Sequence, residues 1–204
     1  MTMADDSPSK PNSNAELIDV PGGLNAAARR ERARFETRYK KFLKKIEKVS
    51  LSVLVWGPSP QSQSAAAIKR KEILNELRRL GHNAMFSEEF PEQLPGLSEK
   101  TKEFAQARAA HLIIILLEDA PGALAEAHDF CNHPDIASKV YVMIPQRYEG
   151  GYSAQGAIKD LDEGYGGVYW YAEQDLQACN VCKHAVRRTE ARRYLLSRVG
   201  ALQV

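Results

Sequence analysis

The chain has 204 residues, with 28 Lys and Arg against 26 Asp and Glu and a formal charge of +2. That length suits one domain with a core of its own, and so balanced a charge selects by itself neither a nucleic-acid binder nor a trap for acidic ligands. Three cysteines fit a reducing compartment better than a disulfide framework. No apolar run reaches the roughly eighteen residues that begin to span a bilayer, and the N-terminus lacks a signal peptide's apolar core, so a cytoplasmic protein with no membrane partner is expected.

Residues 1–22 are rich in Ser, Pro, Asn and Asp and run into "VPGG" at 20–23. Such a composition cannot offset its ordering entropy by burial and reads as a disordered arm. A basic amphipathic helix is expected over 23–49. Phe35, Tyr39, Phe42, Ile46 and Val49 recur at steps of four and three, a stripe that predicts docking, while ten Lys or Arg between residues 29 and 48 face three Glu.

From residue 50 to 204 short apolar runs alternate with helical stretches. Strands are expected at 51–56, 83–86, 111–117, 139–144 and 167–171. Helices are expected near 65–80, 98–110, 122–132, 154–163 and 173–199. Five strands separated by helices predict an α/β fold with a parallel sheet covered on both faces, and right-handed crossovers favour a doubly wound order of 2-1-3-4-5. Ligands of such sheets lie beyond the carboxyl ends of the strands where the order reverses, between the first and third strands. The loops there are "WGPSPQSQS" (56–64) and "EDAPGALAE" (118–126), flanked by "FSEEF" (86–90).

In the first loop Gly57 permits close backbone approach, and Ser59 adds a hydroxyl ahead of a helix N-terminus that favours an anion. The same Gly-Pro-Ser-Pro run also reads as a stiff turn with a serine cap. In the second loop Pro121 suits a first helical turn, Gly122 leaves the backbone open, and Glu126 is expected to project over the strand end, kept ionised by the helix dipole. A carboxylate there is also an ordinary helix-start residue.

The stretch from Leu51 to about Tyr171 resembles the nucleoside 2-deoxyribosyltransferase-like group and its relatives among Toll/interleukin-receptor (TIR) domains. "SVLVWGPSP" resembles their first strand and ligand loop, "IKRKEILNELRRLGHNAMFSEEF" the helix and strand that follow, and "AQARAAHLIIILLEDAPGALAEAHDF" the strand, small-residue turn and glutamate-bearing helix. In the transferases that turn commonly reads Asp-x-Gly-Thr-x-x-Glu. Gly122 and Glu126 keep the spacing, Ala123 replaces the threonine, and Asp119 lies one place early. The resemblance implies a flavodoxin-like fold and an N-glycosidic-bond hydrolase or transferase acting on a nucleotide or NAD, with Glu126 catalytic. It also implies the setting of a toxic effector in bacterial antiphage defence.

The substrate-binding residues expected around Glu126 are Trp56, Gly57, Pro58, Ser59, Phe86, Ser87, Glu88, Asp119 and Gly122. Cleavage of an N-glycosidic bond passes through an oxocarbenium-like state that one ionised carboxylate can stabilise or capture. Glu88, Glu118, Asp119 and His128 are candidates to assist a leaving base, and Trp56, Phe86 and Tyr148 to stack on it. The alternative is a non-catalytic nucleotide-sensing or scaffold domain.

Cys131, His133, Cys179, Cys182 and His184 are metal-ligand types, but a single C-x-x-C without a second pair predicts no metal. No resident cofactor is expected; NAD or a nucleotide would be substrate. Lys183, Arg187, Arg188, Arg192, Arg193 and Arg198 add a second basic helix. With the N-terminal helix they predict a regulatory protein, nucleic acid or second subunit as partner.

Overall fold

The structure, a computed structural model, describes residues 25–89, 96–118, 121–151 and 154–199. The arm at 1–22 and Asp119 lie outside the described residues. The chain falls into two compact units, Met1–Lys44 and Lys45–Val204.

The first unit contributes most of helix α1 (Ala26–Glu47), which opens with the Asn25 side chain accepting the Ala28 N–H. The apolar stripe expected to dock is exposed in its first half: Phe35 is 65% and Tyr39 51% accessible, and their rings stack on each other. Burial begins in the second unit, with Ile46 and the partly covered Val49.

The second unit is α/β. Its strands are β1 (Ser52–Trp56), β2 (Asn83–Phe86), β3 (Leu112–Leu116), β4 (Val140–Pro145) and β5 (Val168–Tyr171). They form one all-parallel sheet in the order β2-β1-β3-β4-β5, the flavodoxin-like arrangement. β3 is buried along its whole length, as a central parallel strand covered on both faces must be.

Alternation along the strands separates two cores. Val53, Val55, Ile114 and Leu116 face α2 (Ala65–Arg79), α7 (Glu173–Gln177) and α8 (Asn180–Val199). Leu54, Trp56, Ile113 and Ile115 face α3 (Glu99–Ala109), α4 (Pro121–Cys131), α5 (Pro134–Ala137) and α6 (Ala157–Tyr165). The β1–α2 and β3–α4 connections therefore leave adjacent strands for opposite faces of the sheet. That divergence makes the carboxyl edge between β1 and β3 the switch point of the sheet, where ligands of such folds lie.

Two histidines anchor the start of β1. The Leu51 N–H donates to His82 Nδ1 at 3.2 Å and the Ser52 N–H to His111 Nδ1 at 3.0 Å. A ring nitrogen that accepts must be unprotonated, and burial holds both imidazoles below their usual pKa.

The C-terminal segment departs from the single helix expected over 173–199. Cys179 takes a left-handed φ of 58° and divides it into α7 and α8. The arginines of α8 are also largely engaged. Arg193, 5% accessible, donates to the Leu80 carbonyl at 2.9 Å and pairs with Glu190 at 3.2 Å. Arg192 donates to the His111 carbonyl, and Arg188 lies over the Tyr141 ring. The continuous basic face expected on α8 is thus partly structural, because these cations tie α8 to the strand starts. Among the described residues no helix is long and apolar enough to cross a membrane.

Candidate active site

The β1–α2 loop is held from beneath by Arg70. In α2 the buried positions Ala66, Ala67, Arg70, Ile73, Leu74 and Leu77 follow helical periodicity, so Arg70 occupies a core slot and is fully buried. Its guanidinium fork donates to the carbonyls of Val55 at 2.7 Å and Pro58 at 2.9 Å, and to both carboxylate oxygens of Glu88. It also lies over the Phe86 ring, 4.5 Å from the centroid. One side chain thus joins the ends of β1 and β2.

Gly57 is required at this point. Its φ is +148°, and a Cβ there would stand 2.5 Å from the Leu116 carbonyl oxygen at the end of β3. The loop hydroxyls are committed locally: Ser59 donates to Gln61, Ser62 accepts from the Ser64 N–H, and Ser64 caps α2 by accepting from Ala67. Pro58 contributes its carbonyl to Arg70. The turn-and-cap reading of this loop accounts for its serines.

Across the switch point, α4 begins at Pro121, so Glu126 is its sixth residue and stands beyond the first turn where it was expected. Ala123, Ala127 and Phe130 face the core. Glu126 flanks that stripe and is half-buried. The helix dipole fades after the first turn, and the expectation of a depressed pKa is overturned. Burial pushes the Glu126 carboxyl up, the carboxylates of Glu103 and Glu88 add to the rise, Arg70 opposes it, and Asp129 adds slightly, leaving it at about 7.

Glu88 has the opposite fate. Its burial would raise it, but the hydrogen bonds from Arg70, its own backbone N–H and Ser87, together with the Arg70 charge, hold it below the ordinary carboxylate range. Glu103 on α3 is itself raised, by burial and by the neighbouring carboxylates of Glu99 and Asp129. The switch point therefore has one carboxylate held in its ionised form by Arg70 and another that burial brings to about 7. Such separation of two carboxyl groups is the usual basis for dividing acid and base roles.

No family model matches the sequence, and no curated protein matches it.

Of the expected site residues, Gly57, Pro58 and Glu88 are joined by hydrogen bonds from Arg70, Ser87 donates to Glu88 at 2.9 Å, and Glu126 feels the charges of Glu88 and Arg70. Gly122 lies exposed at the start of α4 with open space where a Cβ would stand. Trp56 and Phe86 do not present stacking faces. Trp56 is 2% accessible and packs edge-on against Phe130 at 4.8 Å, while Phe86 is covered by Arg70. Both end apolar strands, and the core takes them. Tyr148 packs against the core on the α4 side of the sheet. A concavity of about 430 Å³ opens at the ends of β4 and β5, lined among others by Arg147, Tyr171 and Glu173.

Arg70 and Glu103 were not foreseen. Arg70 had a legible signal, a charge interrupting the apolar stripe of α2. Glu103 had none, because its effect arises from α3 and α4 meeting on one face of the sheet.

Proposed function

We propose that the Lys45–Val204 domain cleaves an N-glycosidic bond of a nucleotide or NAD, with Glu126 as the reacting carboxylate. The arrangement that carries this reading is a half-buried carboxyl on the helix that follows β3 at the switch point of a doubly wound sheet, pushed up to about 7 by burial and by the charge of a second carboxylate that Arg70 holds in place. Glu88, held by the buried Arg70, is a fixed negative charge rather than a nucleophile. Glu126 is the group whose charge state can follow the reaction.

A sugar cation developing at the anomeric carbon favours the ionised form of Glu126, and that form then stabilises the cation or captures it. A nicotinamide leaving group is already cationic in NAD and departs without protonation. A neutral base must take up a proton as it leaves, from a donor other than the ionised Glu126. Water or a second nucleoside completes the cycle.

Partner binding is assigned to α1 rather than α8. α1 carries exposed Phe35 and Tyr39 among its basic residues, whereas Arg188, Arg192 and Arg193 of α8 have internal partners.

The test is a mass-spectrometric screen of the purified full chain with NAD, ribonucleotides and deoxynucleosides. Release of a free base or transfer to an acceptor base is expected for one class. Recovery of every compound intact, at enzyme concentrations near that of substrate, would overturn the reading.

A further inference from the structure

A second cluster lies on the opposite side of α2, where that helix meets the start of α8. Cys179 supplies the carbonyl that accepts the Lys183 N–H in the first turn of α8, and Cys182 stands one turn further on. The left-handed backbone at Cys179 turns both thiols to the same place, with their sulfurs 2.9 Å apart. Cys179 is partly accessible and Cys182 is 8% accessible. From α2, Glu72 Oε2 lies 2.7 Å from Cys179 Sγ and 3.8 Å from Cys182 Sγ. Lys69 Nζ lies 3.4 Å from Cys179 Sγ and 2.8 Å from Glu72.

We propose that Cys179 and Cys182 form a redox-active dithiol, oxidised to an intramolecular disulfide by a low-molecular-weight disulfide of the glutathione class, with Glu72 as proton acceptor. Each feature answers a requirement of thiol–disulfide exchange. The attacking sulfur must be reachable, as the partly accessible Cys179 is, and it needs an acceptor for its proton, which Glu72 Oε2 offers at 2.7 Å. The resolving sulfur must be near and protected, as Cys182 is. Burial and the adjacent Cys179 and Glu72 hold the Cys182 thiol well above its ordinary pKa, so it stays protonated until it is used.

The steps balance. Glu72 takes the Cys179 proton, and the Cys179 thiolate attacks one sulfur of the small disulfide. That S–S bond breaks, the departing thiolate takes the proton from Glu72, and a mixed disulfide remains on Cys179. Cys182 then yields its proton to Glu72 and attacks Cys179 Sγ, expelling the second small thiolate, which is protonated in turn. Two protein thiols are oxidised to one disulfide, and one small disulfide is reduced to two thiols.

Glu72, Cys179 and Cys182 also place three ligand atoms within 4.8 Å of one another, which raises the question of a metal. Zinc bonds of about 2.3 Å at tetrahedral angles would hold two sulfurs roughly 3.8 Å apart. The observed 2.9 Å is nearer to a disulfide-forming approach, and Lys69 already supplies the cation beside Glu72.

The reduced full chain is incubated without oxygen in graded mixtures of reduced and oxidised glutathione, quenched in acid, then unfolded, alkylated and mapped by mass spectrometry. A linked Cys179–Cys182 peptide is expected, with Cys131 alkylated throughout. Alkylation of both Cys179 and Cys182 across the series would overturn the proposal. So would a mixed disulfide that persists on Cys179 in the wild-type chain, or stoichiometric zinc in the purified protein that blocks oxidation until chelated. Cys182→Ser is expected to trap glutathione on Cys179, and Glu72→Gln to move the pH profile of the oxidation rate to higher pH. A profile unchanged in Glu72→Gln would remove Glu72 from the mechanism.

Discussion

Arg70 and Glu88 meet through two hydrogen bonds, Nη1 to Oε1 at 2.8 Å and Nη2 to Oε2 at 2.6 Å. The arginine side chain is fully buried, whereas that of glutamate is half exposed. The pair fixes the loop after β1 against the end of β2 and sets a permanent negative charge beside Glu126. Arg70→Met keeps the volume but leaves the Val55 and Pro58 carbonyls without this donor. A loss of about 2–3 kcal/mol is expected, below the full cost of breaking a wholly buried pair because Glu88 is half exposed. Urea denaturation measures it, and a change within about 0.5 kcal/mol would show that the fork is not a structural clamp.

The carboxyl of Glu126 is expected to titrate with a midpoint near 7. Carbon-13 NMR of labelled glutamate carboxyls reads this directly. Glu103→Gln removes the largest neighbouring negative influence and should move the midpoint down. A wild-type midpoint in the ordinary carboxylate range would mean that water reaches Glu126 freely.

The same shift has a consequence for stability. A carboxyl raised in the folded state favours folding below its unfolded pKa, and that contribution is lost as pH rises through about 7. Glu126→Gln cannot ionise, so it should melt higher than wild type at pH 8, and the gap should close by about pH 5. A variant less stable than wild type at pH 8 would contradict the burial of Glu126.

Arg193 and Arg187 lie on one helix but should differ sharply when replaced by glutamine. Arg193 is 5% accessible and holds Leu80, whereas Arg187 is exposed. Arg193→Gln should cost about 2 kcal/mol and Arg187→Gln less than about 0.5 kcal/mol by thermal or urea unfolding. Equal effects would return α8 to the reading of a uniformly solvated basic face.

The fold was legible because its signals are local and repeated. Apolar runs such as "HLIIILL" mark buried strands, Gly81 closes α2, and the handedness of crossovers leaves few orders for five parallel strands. The position of Glu126 at the switch point followed from that order. Its charge state did not, because the dipole argument placed it one turn too early and could not include Glu103, a neighbour brought in by a different helix. Trp56 and Phe86 show the same limit. An aromatic residue at a strand end reads alike whether it faces a ligand or, as here, Phe130 and Arg70. The break at Cys179 was hidden because "QACNVC" contains no glycine or proline to mark a left-handed residue.

Release of free base by wild type and by Glu126→Gln, compared at pH 7.5 on whichever nucleotide or dinucleotide the screen identifies, tests the central assignment most directly. The glutamine side chain is nearly isosteric and removes both the charge and the nucleophile, so turnover should fall by about a hundredfold or more while the folded spectrum is retained. The wild-type rate should rise with pH through about 7 as Glu126 ionises. Turnover in Glu126→Gln within a few-fold of wild type would contradict the assignment of Glu126 as the reacting carboxylate.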